Sequence, residues 1–406
     1  MNLSTYRFRL AIPLLGLLFL SGWAQIPCAD LEIVESIPTE TILDNPEIRN
    51  TSEVWTEMIG AADETIDLEQ YYISNAVDEP LEPIIKLIEQ AARRGVKVRI
   101  IVDARMAKTY PETINRLTKT KNITIRQSQT FNRNDGVQHA KYFIIDKKEV
   151  FIGSQNFDWR ALEHIHEIGL RICHPEYACL MTELFAMDWD YAVLNKMPNR
   201  KLTEPHRFKV AIAPGDTVKF TASGSPARNL PDGMTSDEKV ILELIRCAKK
   251  EINIQLLSYS PLDKKNIYWA KLDNALRAAA ARGVTVNLLV SDWNISADEL
   301  PYLQSLAILP NINLKISSIP EYSGGYIPFA RVEHCKYMVA DESLCWIGTS
   351  NWARNYFYDS RNGGLKIENA TVANTFQNIF IKSWDSPYVW QLIPGRDYLE
   401  KFHGEK

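Results

Sequence analysis

The sequence predicts a mixed α/β fold made of two similar units that together span most of the 406 residues. The main observation is an internal repeat, because the segment that begins at His139 reappears 195 residues later at His334. A second observation is that both halves run in the order strand, helix, strand, which favours parallel strands with helices covering the sheet. A third is the pattern of a two-stranded hairpin inside each copy of the repeat.

Each half begins with the same three elements. An apolar strand, "ETIDLEQYYIS" or "EINIQLLSYS", is followed by an amphipathic helix that ends at Gly95 or Gly283. Glycine is the usual residue where a helix ends in the left-handed conformation. A β-branched strand, "VKVRIIVD" or "VTVNLLVSD", follows. We therefore predict one unit over residues 30–195 and a second over 237–395, with the Pro-, Gly-, Ser- and Thr-rich segment 196–236 as an irregular linker.

The repeated segment carries the same polar residue types at the same spacing in both halves. The first copy, residues 139–156, contains His139, Lys141, Asp146, Ser154 and Asn156, and the second, residues 334–351, contains His334, Lys336, Asp341, Thr349 and Asn351. One histidine alone would fit an ordinary surface or core role as readily as a role in a functional site. Two copies with matching H-x-K-x4-D and G-[ST]-x-N spacing indicate a functional site.

A polar break between apolar residues predicts a hairpin in each copy. Side chains alternate faces along a strand, so His139 and Lys141 lie on one face of the hairpin. Ser154 and Asn156 share a face on the returning strand. Asp146 and its counterpart at position 341 fall at the break, where an aspartate caps the backbone of a turn. For these two carboxylates we expect a structural role rather than a catalytic one.

Composition and charge narrow the classes of function. The formal net charge is −4 and the pI is near 6.1, which does not fit a basic face that binds long duplexes through many phosphates. The six cysteines show no paired C-x-x-C spacing, so we expect no metal site.

The N-terminus has the layout of an export signal. Arg7 and Arg9 precede an apolar run over residues 10–20, and small residues follow up to Ala24. We expect a signal peptide over residues 1–24 and a mature protein that is secreted, periplasmic or in an organelle lumen. The alternative is an uncleaved membrane anchor, although the run is shorter than the roughly 20 residues that a spanning helix needs.

The paired motifs resemble the HKD signatures of the phospholipase D superfamily of phosphodiesterases. The segments "VESIP", "NFDWRALEHIHEIGL", "IPFARVEHCKYMV" and "IGTSNWARNYF" are similar to its animal phospholipase D3 and D4 type. The resemblance implies two units packed about a pseudo-two-fold axis, with one active site at their interface. It also implies a 5′-exonuclease on single-stranded DNA or RNA, and some members are linked to lipid phosphodiester chemistry.

The residue types suit phosphodiester chemistry without a metal or cofactor. Lys141 and Lys336 supply positive charge for the non-bridging oxygens, assisted by hydrogen-bond donors on Ser154, Asn156, Thr349 and Asn351. One histidine attacks phosphorus to give a phosphohistidine, and the other acts as general acid and then as base for the water.

Glu167 lies where superfamily relatives place a carboxylate that hydrogen-bonds the motif histidine, and the residue at the matching position of the second unit is Asn362. A carboxylate partner would raise the pKa of His139. We therefore expect His139 to be the general acid and His334 the nucleophile, while an ordinary surface salt bridge is the alternative role for Glu167.

The same resemblance implies a disulfide near the start of the mature chain. We expect a Cys28–Cys179 bridge, with Cys173 as the alternative partner, and the bridge requires signal cleavage near Ala24. The unmatched histidines are expected in ordinary surface or core roles: His164, His166, His174, His206 and His403. Aromatic residues near the motifs have two alternatives, core packing or stacking on nucleobases: Tyr71, Tyr72, Tyr259, Trp293 and Trp352.

Three functions remain open from the sequence: an exonuclease on single-stranded nucleic acid, a phospholipase D or transphosphatidylase acting on lipid head groups, and a non-catalytic phosphate-binding protein. Retention of His, Lys and Asn in both copies argues against the third. No obligate protein partner is expected, and a homodimer remains open.

Overall fold

The structure is a computed structural model that describes residues 30–132, 135–194, 199–263 and 267–405. Two mixed sheets, one of eight strands and one of ten, form its framework, with helices packed against them. The predicted α/β fold of two similar units is confirmed. The predicted signal segment lies outside the described residues. Within the described part of the chain, no helix combines the length and apolar character needed to cross a bilayer.

Within its described residues, the first unit contains ten strands and six helices. The strands are β1 (Leu31–Ser36), β2 (Arg49–Asn50), β3 (Thr65–Gln70), β4 (Ile73–Ser74), β5 (Lys97–Asp103), β6 (Ile123–Ser128), β7 (Tyr142–Ile145), β8 (Glu149–Gly153), β9 (Phe157–Asp158) and β10 (Glu167–Cys173). The helices are α1 (Thr51–Gly60), α2 (Glu82–Arg94), α3 (Ala104–Thr109), α4 (Pro111–Leu117), α5 (Trp159–Glu163) and α6 (Pro175–Leu194).

The second unit follows the same plan. Its strands are β11 (Phe208–Ala213), β12 (Asp216–Ser225), β13 (Thr235–Ser236), β14 (Glu251–Leu256), β15 (Thr285–Ser291), β16 (Ile312–Ser317), β17 (Lys336–Ala340), β18 (Leu344–Gly348), β19 (Asn362–Glu368) and β20 (Val389–Gln391). Its helices are α7 (Asp237–Cys247), α8 (Lys271–Ala281), α9 (Leu300–Ala307), α10 (Arg354–Tyr358) and α11 (Ala370–Trp384), with 3₁₀ turns at Ala227–Asn229 and Asp292–Asn294.

The strand orders of the two sheets correspond. The first sheet runs β2-β1-β10-β8-β7-β3-β5-β6, and the second contains β12-β19-β18-β17-β14-β15-β16 in the equivalent places. In both, the strand–helix–strand segments give parallel pairs, and the motif hairpins give antiparallel pairs. Side chains of α6 and α11 join one buried apolar cluster that contains residues of both sheets. The two units therefore share a core.

The prediction of an irregular linker over residues 196–236 is wrong for much of that segment. Strands β11 and β12 form an antiparallel pair there, and β12 also pairs with β19 along seven residues. The alternating pattern "FKVAIA" and "DTVKF" places Phe208 and Val210 in the core beside Val218 and Phe220. Burial of one face of each strand outweighs the local content of turn residues.

Asp146 and Asp341 both lie in the hairpin turns, where their own backbone adopts positive φ. Their carboxylates reach the start of the antiparallel strand next to the hairpin, β3 or β14, rather than their own turn. Asp341 accepts backbone N–H groups from residues 249, 250 and 251 at 2.8, 2.8 and 3.1 Å. Asp146 does the same with residues 63, 64 and 65. Both carboxylates thus tie a hairpin to its sheet, which agrees with a structural role.

The expected Cys28–Cys179 bridge is wrong at Cys179, which is an exposed free thiol on α6. Cys28 lies outside the described residues. Among the cysteines in the described residues, Cys173, the alternative partner, is disulfide-bonded. Cys173 ends β10, so a bridge there anchors the sheet rather than the helix.

Candidate active site

The motif histidines stand just before the first strand of each hairpin. Lys141 and Lys336 follow two residues later, at or next to the start of β7 and β17. Both lysine side chains are fully buried, and the two histidines retain only 4% and 8% exposure. Asn156 and Asn351 lie a few residues beyond the ends of the returning strands β8 and β18, where the chain leaves the sheet.

The two halves meet at this edge through their backbones. His139 donates its backbone N–H to the carbonyl of Arg361 at 2.9 Å, and His334 donates its own to the carbonyl of His166 at 2.9 Å. Isolated parallel bridges join residue 138 to Arg361 and His166 to residue 333. Each motif histidine is therefore held in place by a segment of the other unit.

The side chains cross the interface as well. His334 Nδ1 lies 2.7 Å from Oε2 of Glu167, which begins β10 of the first unit. His139 Nδ1 lies 3.0 Å from Oδ1 of Asn362, which begins β19 of the second. The expected pairing of Glu167 with His139 is therefore wrong. The carboxylate orients the histidine of the opposite unit because β10 and β19 both begin at the interface.

Asn362 is fixed in the orientation that offers its oxygen to His139. Its amide nitrogen donates to Ser225 Oγ at 3.0 Å and to the carbonyl of Tyr356 at 2.9 Å. Thr349 donates its hydroxyl to the Asn362 oxygen at 2.9 Å. An oxygen at this place accepts the Nδ1 proton and leaves the lone pair of His139 on Nε2.

The lysines converge on the histidines of both units. Each ammonium donates one hydrogen bond to the backbone carbonyl of its own motif histidine, at 3.0 Å for Lys141 and 2.7 Å for Lys336. An ammonium has three protons, so two remain for a phosphate. Burial and the charges of both lysines hold the pKa of His139 and of His334 well below the ordinary value. The two imidazoles thus share one electropositive site.

Burial is also the largest cause of the pKa shifts of Glu167 and the two lysines. It raises the pKa of Glu167 to about 8 and lowers the pKa of Lys336 to about 8. The pKa of Lys141 is also lowered, first by burial and then by the charge of Lys336. A phosphodiester anion bound between the lysines would offset their charge and favour the imidazolium form of His334 beside Glu167.

The predicted phosphate-binding roles of Ser154 and Thr349 do not fit the structure. Ser154 donates its hydroxyl to the carbonyl of Ile168 at 3.2 Å, and the Thr349 hydroxyl is directed to Asn362. Both hydroxyls brace the strand that follows the motif. The buried side chains of Asn156 and Asn351 have carboxamide oxygens with no hydrogen-bond partner in the described part of the chain, and their amide groups are the ends able to donate to phosphate.

Two tyrosine rings contact His139. The ring centroids of Tyr71 and Tyr356 lie 5.1 and 4.8 Å from that of the imidazole, and Lys141 Nζ lies 5.4 Å from the Tyr71 centroid. Both rings are half-buried. From the sequence, Tyr71 is one of several aromatic residues near the motifs, and Tyr356 was missed because Ala161 takes its place in the first unit.

The other aromatics named from sequence lie elsewhere. Tyr259 and Trp352 are buried in the core of the second unit, and the Tyr72 hydroxyl donates to buried Asp158 at 2.7 Å. Trp293 lines a separate cavity of about 430 Å³ with His403. Of the five, Tyr71 reaches the motif residues.

Among the described residues, one group has ligand atoms close enough for a metal: His166, Glu333 and Cys335, within 4.8 Å of one another. We do not assign them as ligands. His166 Nδ1 and Glu333 Oε2 are joined at 2.8 Å, and burial raises the pKa of the Cys335 thiol well above its ordinary value.

The comparisons with known proteins agree with this geometry. The family model described as "Cardiolipin synthase, PLD-like domain" matches residues 55–189 and 236–384. The chain is 31% identical to the 5′-3′ exonuclease PLD3 of Xenopus laevis, over 88% of this chain and 80% of that protein. It is 29% identical to phospholipase D Z of Dictyostelium discoideum, over 88% of this chain and 90% of that protein.

A solved structure shows the same fold. The phosphatidylserine synthase of Haemophilus influenzae matches with a TM-score of 0.59 at 12% identity, over 84% of this chain and 85% of that one. The family match covers both repeats, including every motif residue that meets at the interface. The chain therefore belongs to the phospholipase D superfamily of phosphodiesterases.

Proposed function

We propose that this phosphodiesterase is a metal-independent 5′-exonuclease on single-stranded DNA or RNA that works through a phosphohistidine. The observation that carries the choice of substrate is the pair of half-buried rings, Tyr71 and Tyr356, in contact with His139. Stacking on aromatic rings holds single-stranded bases without sequence preference. The 5′ direction rests on the name of the Xenopus relative.

The hydrogen bonds favour an order of roles opposite to the one expected from sequence. His139 keeps a lone pair on Nε2, because Asn362 is a neutral acceptor for its Nδ1 proton. Glu167 lies 2.7 Å from His334 and would favour its imidazolium form once a bound phosphodiester offsets the charge of the lysines, which suits a general acid. His139 is thus the nucleophile and His334 the acid.

The reaction then proceeds in two steps. The Nε2 lone pair of His139 forms a bond to phosphorus, the bond from phosphorus to the leaving oxygen breaks, and that oxygen takes the Nε2 proton of His334. In the second step His334 removes a proton from water, the water oxygen bonds phosphorus, and the nitrogen–phosphorus bond breaks. Lys141 and Lys336 neutralise the non-bridging oxygens in both steps.

The test offers the purified protein single-stranded oligonucleotides labelled at the 5′ or the 3′ end, in buffer containing EDTA. Stepwise release of the 5′ label, with the 3′ label retained on shortening chains, is the expected result. Release from the 3′ end, cleavage within the chain, or dependence on added metal would contradict the proposal. A His139→Asn variant controls for contaminating nucleases.

Phospholipid hydrolysis is the second candidate, and the similarity to phospholipase D Z of Dictyostelium supports it. Exposed apolar side chains near the C-terminus, Leu399 at 94% and Phe402 at 57% exposure, offer a surface that lipid would cover. Phosphatidylcholine vesicles in the same assay separate the two, since release of choline without release of nucleotides would favour the lipid substrate.

A further inference from the structure

We infer that His166 and Glu333 form a positioning pair that holds the general acid His334 against Glu167 across the interface. The inference rests on the proposed role of His334 as acid. His166 immediately precedes Glu167, and Glu333 immediately precedes His334. The pair therefore joins the two segments that carry the acid and its carboxylate.

The contacts of the pair are short and buried. His166 Nδ1 lies 2.8 Å from Glu333 Oε2, and each residue is at most 1% exposed. The backbone of His166 accepts the N–H of His334 at 2.9 Å and donates to the carbonyl of Val332 at 3.0 Å. Loss of either partner would leave a buried charge next to the backbone that sets the position of His334.

Charges around the pair favour its ionised form. Burial alone would lower the pKa of His166, but Glu333, Glu35 and Glu167 outweigh it and the pKa is raised. Burial would raise the pKa of Glu333, but His166 outweighs it and the pKa is lowered. Cys335 and Lys336 also face Glu333, the first through its backbone N–H and the second through its charge.

On the side of His139, the backbone is supported by an ion pair of different chemistry. The repeat places Arg361 at the position of His166 and Gln138 at the position of Glu333. Arg361 forms an ion pair with Asp188, with Nε 2.7 Å from Oδ2, and its carbonyl accepts the backbone N–H of His139. A guanidinium stays charged at all pH values in use, whereas an imidazole does not. Substitutions in the His166–Glu333 pair and at Arg361 can therefore be compared as matched changes in the two halves of the site.

The leaving group distinguishes positioning of an acid from general support of the fold. An alkoxide leaving group needs a proton in the transition state, whereas 4-nitrophenolate leaves without one. A misplaced acid thus slows cleavage of an alkyl phosphodiester but has little effect on a 4-nitrophenyl phosphodiester. A misplaced nucleophile slows both. The ratio kcat/KM reports the first step, in which the leaving oxygen departs.

The experiment measures kcat/KM for a dinucleotide and for a 4-nitrophenyl phosphodiester with wild type, His166→Gln, Glu333→Gln and Arg361→Lys. We expect each change in the pair to reduce the dinucleotide value at least tenfold more than the nitrophenyl value, and Arg361→Lys to reduce both alike. His206→Gln, a change at an exposed histidine, is the control expected to leave both values unchanged. Glu333→Gln provides the test if His166→Gln does not fold.

Equal losses on the two esters, or no loss, would overturn the inference. Failure of the proposed nuclease function gives a different result, because the wild type would then leave the dinucleotide intact and hydrolyse phosphatidylcholine. The comparison would then use that lipid as the alkyl ester and would test the pair in the same way.

Discussion

Glu167 of the first unit and His334 of the second form a hydrogen bond of 2.7 Å across the interface, and Asn362 of the second unit reaches back to His139 of the first. Each imidazole is therefore oriented by the unit to which it does not belong. Neither unit holds a complete half of the site, and the difference between a carboxylate and a carboxamide makes the two halves chemically unequal.

Replacing Glu167 by Gln removes the charge that stabilises the His334 imidazolium but keeps a hydrogen-bond acceptor. We expect kcat on an oligonucleotide to fall by about 10²- to 10⁴-fold, the usual contribution of a general acid. Single-turnover cleavage measures this loss. Glu163→Gln, at an exposed glutamate four residues earlier, is the control, and an equal loss there would contradict the assignment.

Replacing Asn362 by Asp places a carboxylate beside His139 and favours its imidazolium, which has no lone pair on Nε2. We expect activity at pH 5 to fall more than activity at pH 8, because protonation of the nucleophile is greatest at low pH. A pH profile of kcat/KM measures the change. A uniform loss at every pH would indicate a structural effect of the substitution alone.

Activity should decline as pH rises through about 8. Burial lowers the pKa of Lys336 to about 8, so the ammonium that binds phosphate is present below this pH and lost above it. The expected effect is a rise in KM, measured between pH 5 and pH 9.5. Lys336→Arg keeps its charge over this range and should move the decline to higher pH.

Removal of the Tyr71 ring should weaken binding of nucleic acid without altering the chemistry. Stacking of one base is worth about 1–3 kcal/mol, so Tyr71→Leu should raise KM for an oligonucleotide by about tenfold. The control is KM for a 4-nitrophenyl methyl phosphodiester, which carries no nucleobase and should be unaffected. Equal changes for both substrates would show that the ring supports His139 rather than a base.

The Asp341 carboxylate should contribute about 1–3 kcal/mol to the free energy of unfolding through its three backbone hydrogen bonds. Burial opposes the shift, but these bonds lower the pKa of Asp341 below that of the unfolded chain. The contribution is therefore present above the unfolded pKa and lost as pH falls through the folded pKa. Urea unfolding of wild type and Asp341→Ala at pH 7 and pH 3 measures this contribution. An equal difference in the free energy of unfolding at both pH values would contradict the stabilising role of the carboxylate.

The repeat allowed much of the fold to be predicted. Spacing of 195 residues between His139 and His334 identified the units, and the alternation around Lys141 identified the hairpin. The repeat shows which residues are equivalent in the two units, but it does not show how the units pack against each other. The histidine that contacts Glu167 could therefore not be assigned from sequence. The contact depends on how the two sheets meet.

Residues without a twin were hardest to find. Tyr356 corresponds to Ala161, and His166 corresponds to Arg361, so a search for matching residues passes over both. Strands β11 and β12 were missed for another reason. Their alternating apolar residues were present, but the turn residues around them dominated the local composition.

Both histidines should act on one phosphorus atom, His139 as nucleophile and His334 as acid. The direct measurement is base-quenched trapping of the covalent adduct during turnover, followed by peptide mapping by mass spectrometry under alkaline conditions, because a bond from phosphorus to histidine is labile in acid. We expect one covalently bound nucleotide per chain, with its phosphorus on His139, and none in His139→Asn. A label on His334, or labels on both histidines, would contradict the assignment of nucleophile and acid.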